Sequence, residues 1–207
     1  MLGKSDPQGA KWHRWDPHLH APGTILNNQY CGEDAWEQFL AKLEGSTPRI
    51  RAIGITDYYS VDTYVAVRKH KQAGRLSDVD LVFANVEMRY GIGTSKGSPI
   101  NVHLLVSPED PDHVDQIRRF LRALTFEAYG ETFRCDASDL IRLGRAHDAT
   151  LIDERAALAV GANHFKVNPD QLRHYGLSIA DVYLAVGRNN ANAGGGVLPQ
   201  YAEQYLI

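Results

Sequence analysis

The run Ile50-Arg51-Ala52-Ile53-Gly54-Ile55-Thr56-Asp57 decides the fold class. It is short, rich in branched apolar residues, and set off upstream by Gly45, Ser46 and Pro48. Those features predict a buried strand. The run ends on a carboxylate, and a bare carboxylate beside an apolar strand needs a partner to offset its desolvation. The same arrangement returns downstream. Leu81-Val82-Phe83-Ala84, within a strand predicted over 80–88, leads to Glu87, and a strand over 100–106 carries His103. Upstream, Arg14-Trp15-Asp16-Pro17-His18-Leu19-His20 is bounded by Pro22-Gly23 and suits a brief strand followed by a loop.

Helices are predicted between these strands. Ala35, Trp36, Phe39, Leu40 and Leu43 line one side of a helix over 34–43, and a second helix over 61–72 closes at Gly74. Asp110 followed by Pro111 predicts a helix start, with Val114, Ile117, Phe120, Leu121 and Leu124 as its buried stripe. Further expectations are a helix over 136–147, a strand over 158–165, a short helix over 169–175 and a final strand over 182–186. The glycine-rich stretch 89–99 reads as a hairpin or loop. Alternating strands and helices predict an α/β fold built from parallel units, with reactive side chains gathered at the downstream strand ends.

At 207 residues the chain fits one domain, read as an N-terminal arm over 1–12 and a domain over 13–207. The stretch 189–196 has no capacity to pack, and the apolar segment ending at Ile207 reads as a chain cut within a strand. A net charge of -3 argues against a protein that coats nucleic acid electrostatically. Arg118, Arg119, Arg122, Arg134, Arg142 and Arg145 are interleaved with Glu127, Glu131, Asp136 and Asp139, which suits a solvated mixed-charge face. Cys31 and Cys135 belong to no paired motif. No apolar run approaches the roughly 20 residues of a membrane span, and residues 1–8 lack a secretory stretch, so the expected location is the cytoplasm.

Asp16, His18 and His20 are spaced by two, which on a regular strand points all three side chains to one face. Two imidazoles so placed can grip one metal ion or serve two adjacent ones. Imidazole suits zinc, iron and manganese, and carboxylate favours the harder ions. Asp16 can orient a histidine by accepting its second N–H. An HxH pair alone says little in a chain of nine histidines. Four consecutive strands that each bring a ligand-type residue toward one end say considerably more.

Asp16-Pro17-His18-Leu19-His20, Gly54-Ile55-Thr56-Asp57, Asn85-Val86-Glu87 and Val102-His103-Leu104-Leu105 together resemble the first four metal motifs of the PHP (polymerase and histidinol phosphatase) family. The resemblance covers residues 12–106, half of the chain. It implies a distorted seven-stranded (β/α) barrel, incomplete at its C-terminal side, that holds two or three divalent ions (manganese, zinc or iron) and cleaves phosphate esters. It also implies a site of His18, His20, Asp57, Glu87 and His103, with Glu87 bridging two ions. Tyr58 stands where the family places a histidine. His164 is the only candidate for the family's later His-Pro turn, and its closing Asp-x-His has no counterpart.

The Ile55-Thr56-Asp57-Tyr58-Tyr59-Ser60 variant and the run from His164 are similar to the subgroup fused to SMC-like or AAA-like ATPases (the Ppl type), some of which act in antiphage defence. The implied partners are nucleic acid or another phosphoester, an ATPase region and further copies of the chain. No Walker-type loop occurs here, so that ATPase is expected outside these residues.

The leading expectation is therefore a metal-dependent nuclease whose activity falls below about pH 6, where ligand histidines protonate. The alternative is a degenerate metal-binding module with a regulatory or assembly role. An amidohydrolase-like reading ranks last, because no lysine sits at the end of an early strand. His13, His70, His113, His147 and His174 read as surface residues, and Trp12, Trp15 and Trp36 as packing anchors. Tyr58 and Tyr59 suit base stacking or core packing. Ser95, Lys96 and Ser98 suit an exposed hairpin or a phosphate contact.

Overall fold

The computed structural model describes residues 13–93, 99–173, 197–200 and 203–206. The chain divides into two compact units, Met1–Val167 and Asn168–Ile207. In the first unit, β1 (Arg14–His20), β2 (Ile50–Tyr58), β3 (Leu81–Gly93) and β4 (Pro99–Val106) form one sheet in sequence order. β1, β2 and β3 run parallel, while β4 pairs antiparallel with β3. Helix α1 (Ala35–Glu44) connects β1 to β2, and α2 (Asp62–Gln72) connects β2 to β3.

The expected seven-stranded barrel is therefore corrected: the class is α/β, and the architecture is a mixed four-stranded sheet. The physical reason lies between β3 and β4. Only five residues separate Gly93 from Pro99, whereas a parallel crossover takes a dozen or more. The stretch read as a hairpin or loop can only reverse the chain, so the strand carrying His103 cannot be parallel.

After β4 come α3 (His113–Ala123), β5 (Thr125–Ala128), β6 (Glu131–Arg134), α4 (Ala137–His147) and α5 (Glu154–His164). The β5–β6 hairpin was not expected from sequence. Its two-residue turn, Tyr129-Gly130, has φ of 53° and 76°, the left-handed pair that suits a twisted hairpin. Asp110-Pro111 does not open α3. Asp110 Oδ1 instead accepts the Asp112 amide, and the helix begins at His113.

The strand expected over 158–165 is helix α5. Asp153 caps it by accepting the Ala156 amide, and its alanine-rich interior favours helix. Gly144 on α4 and Gly161 on α5 let the two backbones touch. A Cβ on Gly144 would overlap the Ala157 carbonyl, and one on Gly161 the Leu140 carbonyl. The second unit contains α6 (Pro169–Arg173) and the hairpin of β7 (Val197–Gln200) with β8 (Glu203–Leu206). The strand expected over 182–186, His174, Trp12, residues 189–196 and Ser95, Lys96 and Ser98 lie outside the described residues.

The two faces of the sheet differ in chemistry. Ile53 and Ile55 of β2, with Val82, Ala84 and Val86 of β3, form an apolar face. Tyr64 and Val67 are buried on α2, the helix that packs against β2. By alternation and register the other face carries Thr56 and Tyr58 of β2, Asn85, Glu87 and Arg89 of β3, and Asn101 and His103 of β4. Glu87 stands between Tyr58 and His103 in the register. Polar side chains thus occupy one patch in three adjacent strands.

Two minor expectations are also corrected. Trp15 is exposed rather than a packing anchor, and His113 is buried, with Nε2 2.8 Å from the Tyr64 hydroxyl. The mixed-charge reading of the arginines fits Arg142 beside Glu131 and Asp139, and Arg118 beside Asp62 and Asp115. Among the described residues no helix is long and apolar enough to cross a membrane.

Candidate metal centre

β1 is not a regular strand. Its register with β2 slips between Asp16 and Leu19, one residue more on β1 than on β2. This is the signature of a bulge, and Pro17, which has no N–H to give the ladder, sits in it. Two residues accommodate the bulge. Gly54 is required because a Cβ there would overlap the Pro17 carbonyl, and Asn85 Nδ2 donates to that carbonyl at 2.8 Å. Asp16 Oδ1 accepts the His18 backbone amide at 3.3 Å, so it supports the bulge rather than an imidazole.

The result is a pair of converging imidazoles, His18 Nε2 and His20 Nε2, 3.0 Å apart. Glu87 Oε2 lies 3.7 Å from His18 Nε2. These three ligand atoms lie within 4.8 Å of one another, a spacing that one ion could bridge. Glu87 is 3% exposed, and its Oε2 is buried with no hydrogen-bond partner. An unpartnered buried carboxylate oxygen is costly, and a cation between it and the two imidazoles would remove the cost. Two histidines and one carboxylate form a donor set that suits zinc, iron or manganese while leaving coordination positions open. The residues present fit a divalent ion.

His103 stands beside this group, its ring centroid 4.9 Å from that of His18. Its tautomer follows from its neighbours. Asn85 uses its Nδ2 on Pro17, so its Oδ1 must accept, and His103 Nδ1 donates to it at 3.0 Å. His103 Nε2 is then the free nitrogen. Tying one imidazole nitrogen to an amide oxygen fixes the ring and its tautomer and leaves the other nitrogen bare beside the candidate ligands. Asn85 thus couples the bulge of β1 to His103 on β4. Replacing it with Ala should weaken Mn²⁺ affinity by about 10–100-fold, as read by calorimetric titration; unchanged affinity would deny Asn85 that role.

Burial, and secondarily the neighbouring His18, holds the His20 pKa below its ordinary value, and burial does the same for His103. Both effects favour the neutral imidazole that a metal requires.

Asp57 is not brought to this group. It is one residue from Tyr58 on β2, so its side chain takes the opposite face. There Oδ1 accepts the Ile25 and Tyr58 amides at 2.9 and 2.8 Å, and Oδ2 accepts the Thr63 hydroxyl at 3.3 Å. It fastens the loop after β1 to the start of α2. It also lines a cavity of about 300 Å³ with Arg118, Arg122 and Cys135, on the side of the sheet away from Glu87.

Burial raises the Asp57 pKa from 3.8 to about 6. A carboxyl raised in this way stabilises the fold when protonated, and that contribution is lost as pH rises from about 4 to about 6. Asp57→Asn should therefore keep its metal, and its melting temperature relative to wild type should climb across that interval. Loss of metal by this variant would contradict the placement.

His164 also lies outside the group. It ends α5 and stacks on His147, ring centroids 3.7 Å apart. Tyr59 is a core residue, its hydroxyl donating to the Phe165 carbonyl and accepting the Arg89 amide. Reading the sequence missed Asn85 and Asn101 as site residues. Their signal was the period of two, polar at 85, 87 and 89 and again at 101 and 103.

A cavity of about 290 Å³ adjoins the two histidines beside β1, the first strand in the sheet order. It is lined by His18, His20, Arg14, Lys42, Gln29 and Tyr30, among others. Arg14 and Lys42, set against the single carboxylate of Asp16, leave it a net positive lining that suits an anionic group. A search of protein-family models, curated proteins and solved structures finds no match to this chain. The functional reading therefore rests on the site.

Proposed function

We propose that this chain is a metal-dependent phosphoesterase domain, with nucleic acid as the preferred substrate class. The observation that carries the proposal is the convergence of His18 Nε2, His20 Nε2 and Glu87 Oε2, with the carboxylate oxygen buried and without a hydrogen-bond partner. The order of motifs from Asp16 to His103, which resembles the PHP family, supports phosphoester chemistry. The resemblance carries the wider proposal of a cytoplasmic nuclease that works beside an ATPase, as a multimer, in antiphage defence.

His18, His20 and Glu87 would hold the ion, which when bound supplies a Lewis acid for a phosphoryl oxygen and acidifies water. The remaining work belongs to the chain. Arg14 and Lys42, in the adjoining cavity, neutralise the nonbridging oxygens and orient the ester. His103 Nε2, left free by the Asn85 bond, can take up a proton beside His18.

Arg14→Ala and Lys42→Ala should each lower kcat/KM by about tenfold, the worth of one charged contact. The loss should appear mainly in KM, because these residues bind rather than react. Steady-state kinetics on a single-stranded oligonucleotide and on a small phosphodiester will read this. Unchanged kinetics in both variants would remove the cavity from the substrate path.

A second reading, a metal-holding module without turnover, is favoured by Tyr58 and Asn101, which donate to Glu87 Oε1. Hydrolysis assays with Mn²⁺, Zn²⁺ and Fe²⁺ separate the two. Metal retention with no cleavage of any phosphoester would select the module.

A further inference from the structure

The usual carboxylate bridge between two ions gives one oxygen to each. Glu87 Oε1 already accepts the Tyr58 hydroxyl at 2.8 Å and the Asn101 Nδ2 at 2.6 Å. Two donors use the two lone pairs of that oxygen. Oε2, by contrast, has no hydrogen-bond partner and is the oxygen nearer His18. The two halves of one carboxylate are therefore in different states, one capped and one bare.

The Tyr58 cap is packed in place. Tyr58 is 3% exposed, its ring stacked 6.1 Å from that of His20 and covered on another side by the Arg89 guanidinium at 5.5 Å. Turning Asn101 over would set its carbonyl oxygen against the carboxylate, so its amide must face Glu87. Both residues come from the strands that flank Glu87 in the sheet, at positions the register sets.

The ligand inventory points the same way. Among the described residues, His18, His20 and Glu87 are the only cluster of three His, Cys, Asp or Glu side chains close enough to share an ion. His103 stands next to them, and Asp57 is on the other face of the sheet. A second ion would have His103 without a carboxylate oxygen to share.

We infer that Tyr58 and Asn101 are positioning residues that restrict Glu87 to one ligand oxygen and so make this a one-ion site. The inference rests on the proposed metal centre but limits it: two hydrogen bonds to Oε1 oppose the two-oxygen bridge between paired ions that the family resemblance implies. It also accounts for the residue at position 58. A phenol there serves as a hydrogen-bond cap on Glu87 rather than as a missing ligand.

The test loads the full chain with Mn²⁺, removes excess by dialysis, and measures ions per chain by elemental analysis alongside the electron paramagnetic resonance spectrum. Wild type should retain one ion with the six-line signal of an isolated Mn²⁺. Tyr58→Phe/Asn101→Leu uncaps Oε1 and should take up a second ion, with loss of six-line intensity through coupling. Tyr58→Phe alone, the milder change, should show the same trend in a chain of unaltered circular dichroism.

Two coupled ions in wild type would overturn the one-ion inference and leave the metal centre standing. A folded uncapped variant that still holds one ion would overturn the role given to Tyr58 and Asn101. No bound ion in wild type would overturn both this inference and the centre itself.

Discussion

His18→Ala/His20→Ala should bind no Mn²⁺ or Zn²⁺ at micromolar concentration and should hydrolyse phosphoesters no faster than background. The two imidazoles supply two of the three converging ligand atoms, and a single carboxylate oxygen cannot hold a divalent ion against water. The fold should survive. His18 is exposed and His20 half-buried, so truncation leaves little cavity. Both also shed a close imidazole pair that repels if protonated. Calorimetric titration and an oligonucleotide cleavage assay give the two readouts, with the melting curve as control. Cleavage equal to wild type would discard the hydrolase reading.

Gly54→Ala should be nearly as damaging, although residue 54 touches no ligand. Its added methyl would meet the Pro17 carbonyl and the Phe83 ring. Backbone cannot yield as a flexible side chain can, so the strand must move. Overpacking of this kind costs about 1–3 kcal/mol, or roughly 2–12 °C in Tm for a chain of 207 residues. The displaced carbonyl is the one that holds Asn85, and Asn85 holds His103. One methyl should therefore loosen His18, His20 and His103 together and weaken Mn²⁺ binding well beyond the loss in stability. Thermal melting and metal titration of the same preparation will check this. A variant with wild-type affinity would show that the bulge does not set the site.

Much of this structure is legible in the sequence, for physical reasons. α1 and α3 show helical spacing and α2 closes at Gly74, and β2 and β3 contain short apolar runs. Pairing direction is less legible, because an apolar strand looks the same in either sense. The short interval between Gly93 and Pro99 held the answer for β4, and following it would have excluded a parallel barrel at the start. The segment of α5 misled because Leu158, Ala159 and Val160 form a compact apolar run. The decisive signals, the Asp153 cap and the abundance of alanine, lie outside it or run through it.

At the site, the sequence marks which residues can bind metal but not the face each one takes. Asp57 and Tyr58 are neighbours, and a shift of one residue along a strand reverses the side. Spacing alone also could not show that Pro17 bulges β1, and the bulge accompanies the close approach of His18 and His20. The capping of Glu87 by Tyr58 and Asn101 depends on cross-strand register, which only the folded sheet supplies.

The most direct test of the centre is anomalous X-ray diffraction from a crystal of the full chain equilibrated with Mn²⁺. A peak within coordination distance of His18 Nε2, His20 Nε2 and Glu87 Oε2 is the predicted result. A crystal with no peak there, or with its only ordered ion elsewhere on the molecule, would contradict it.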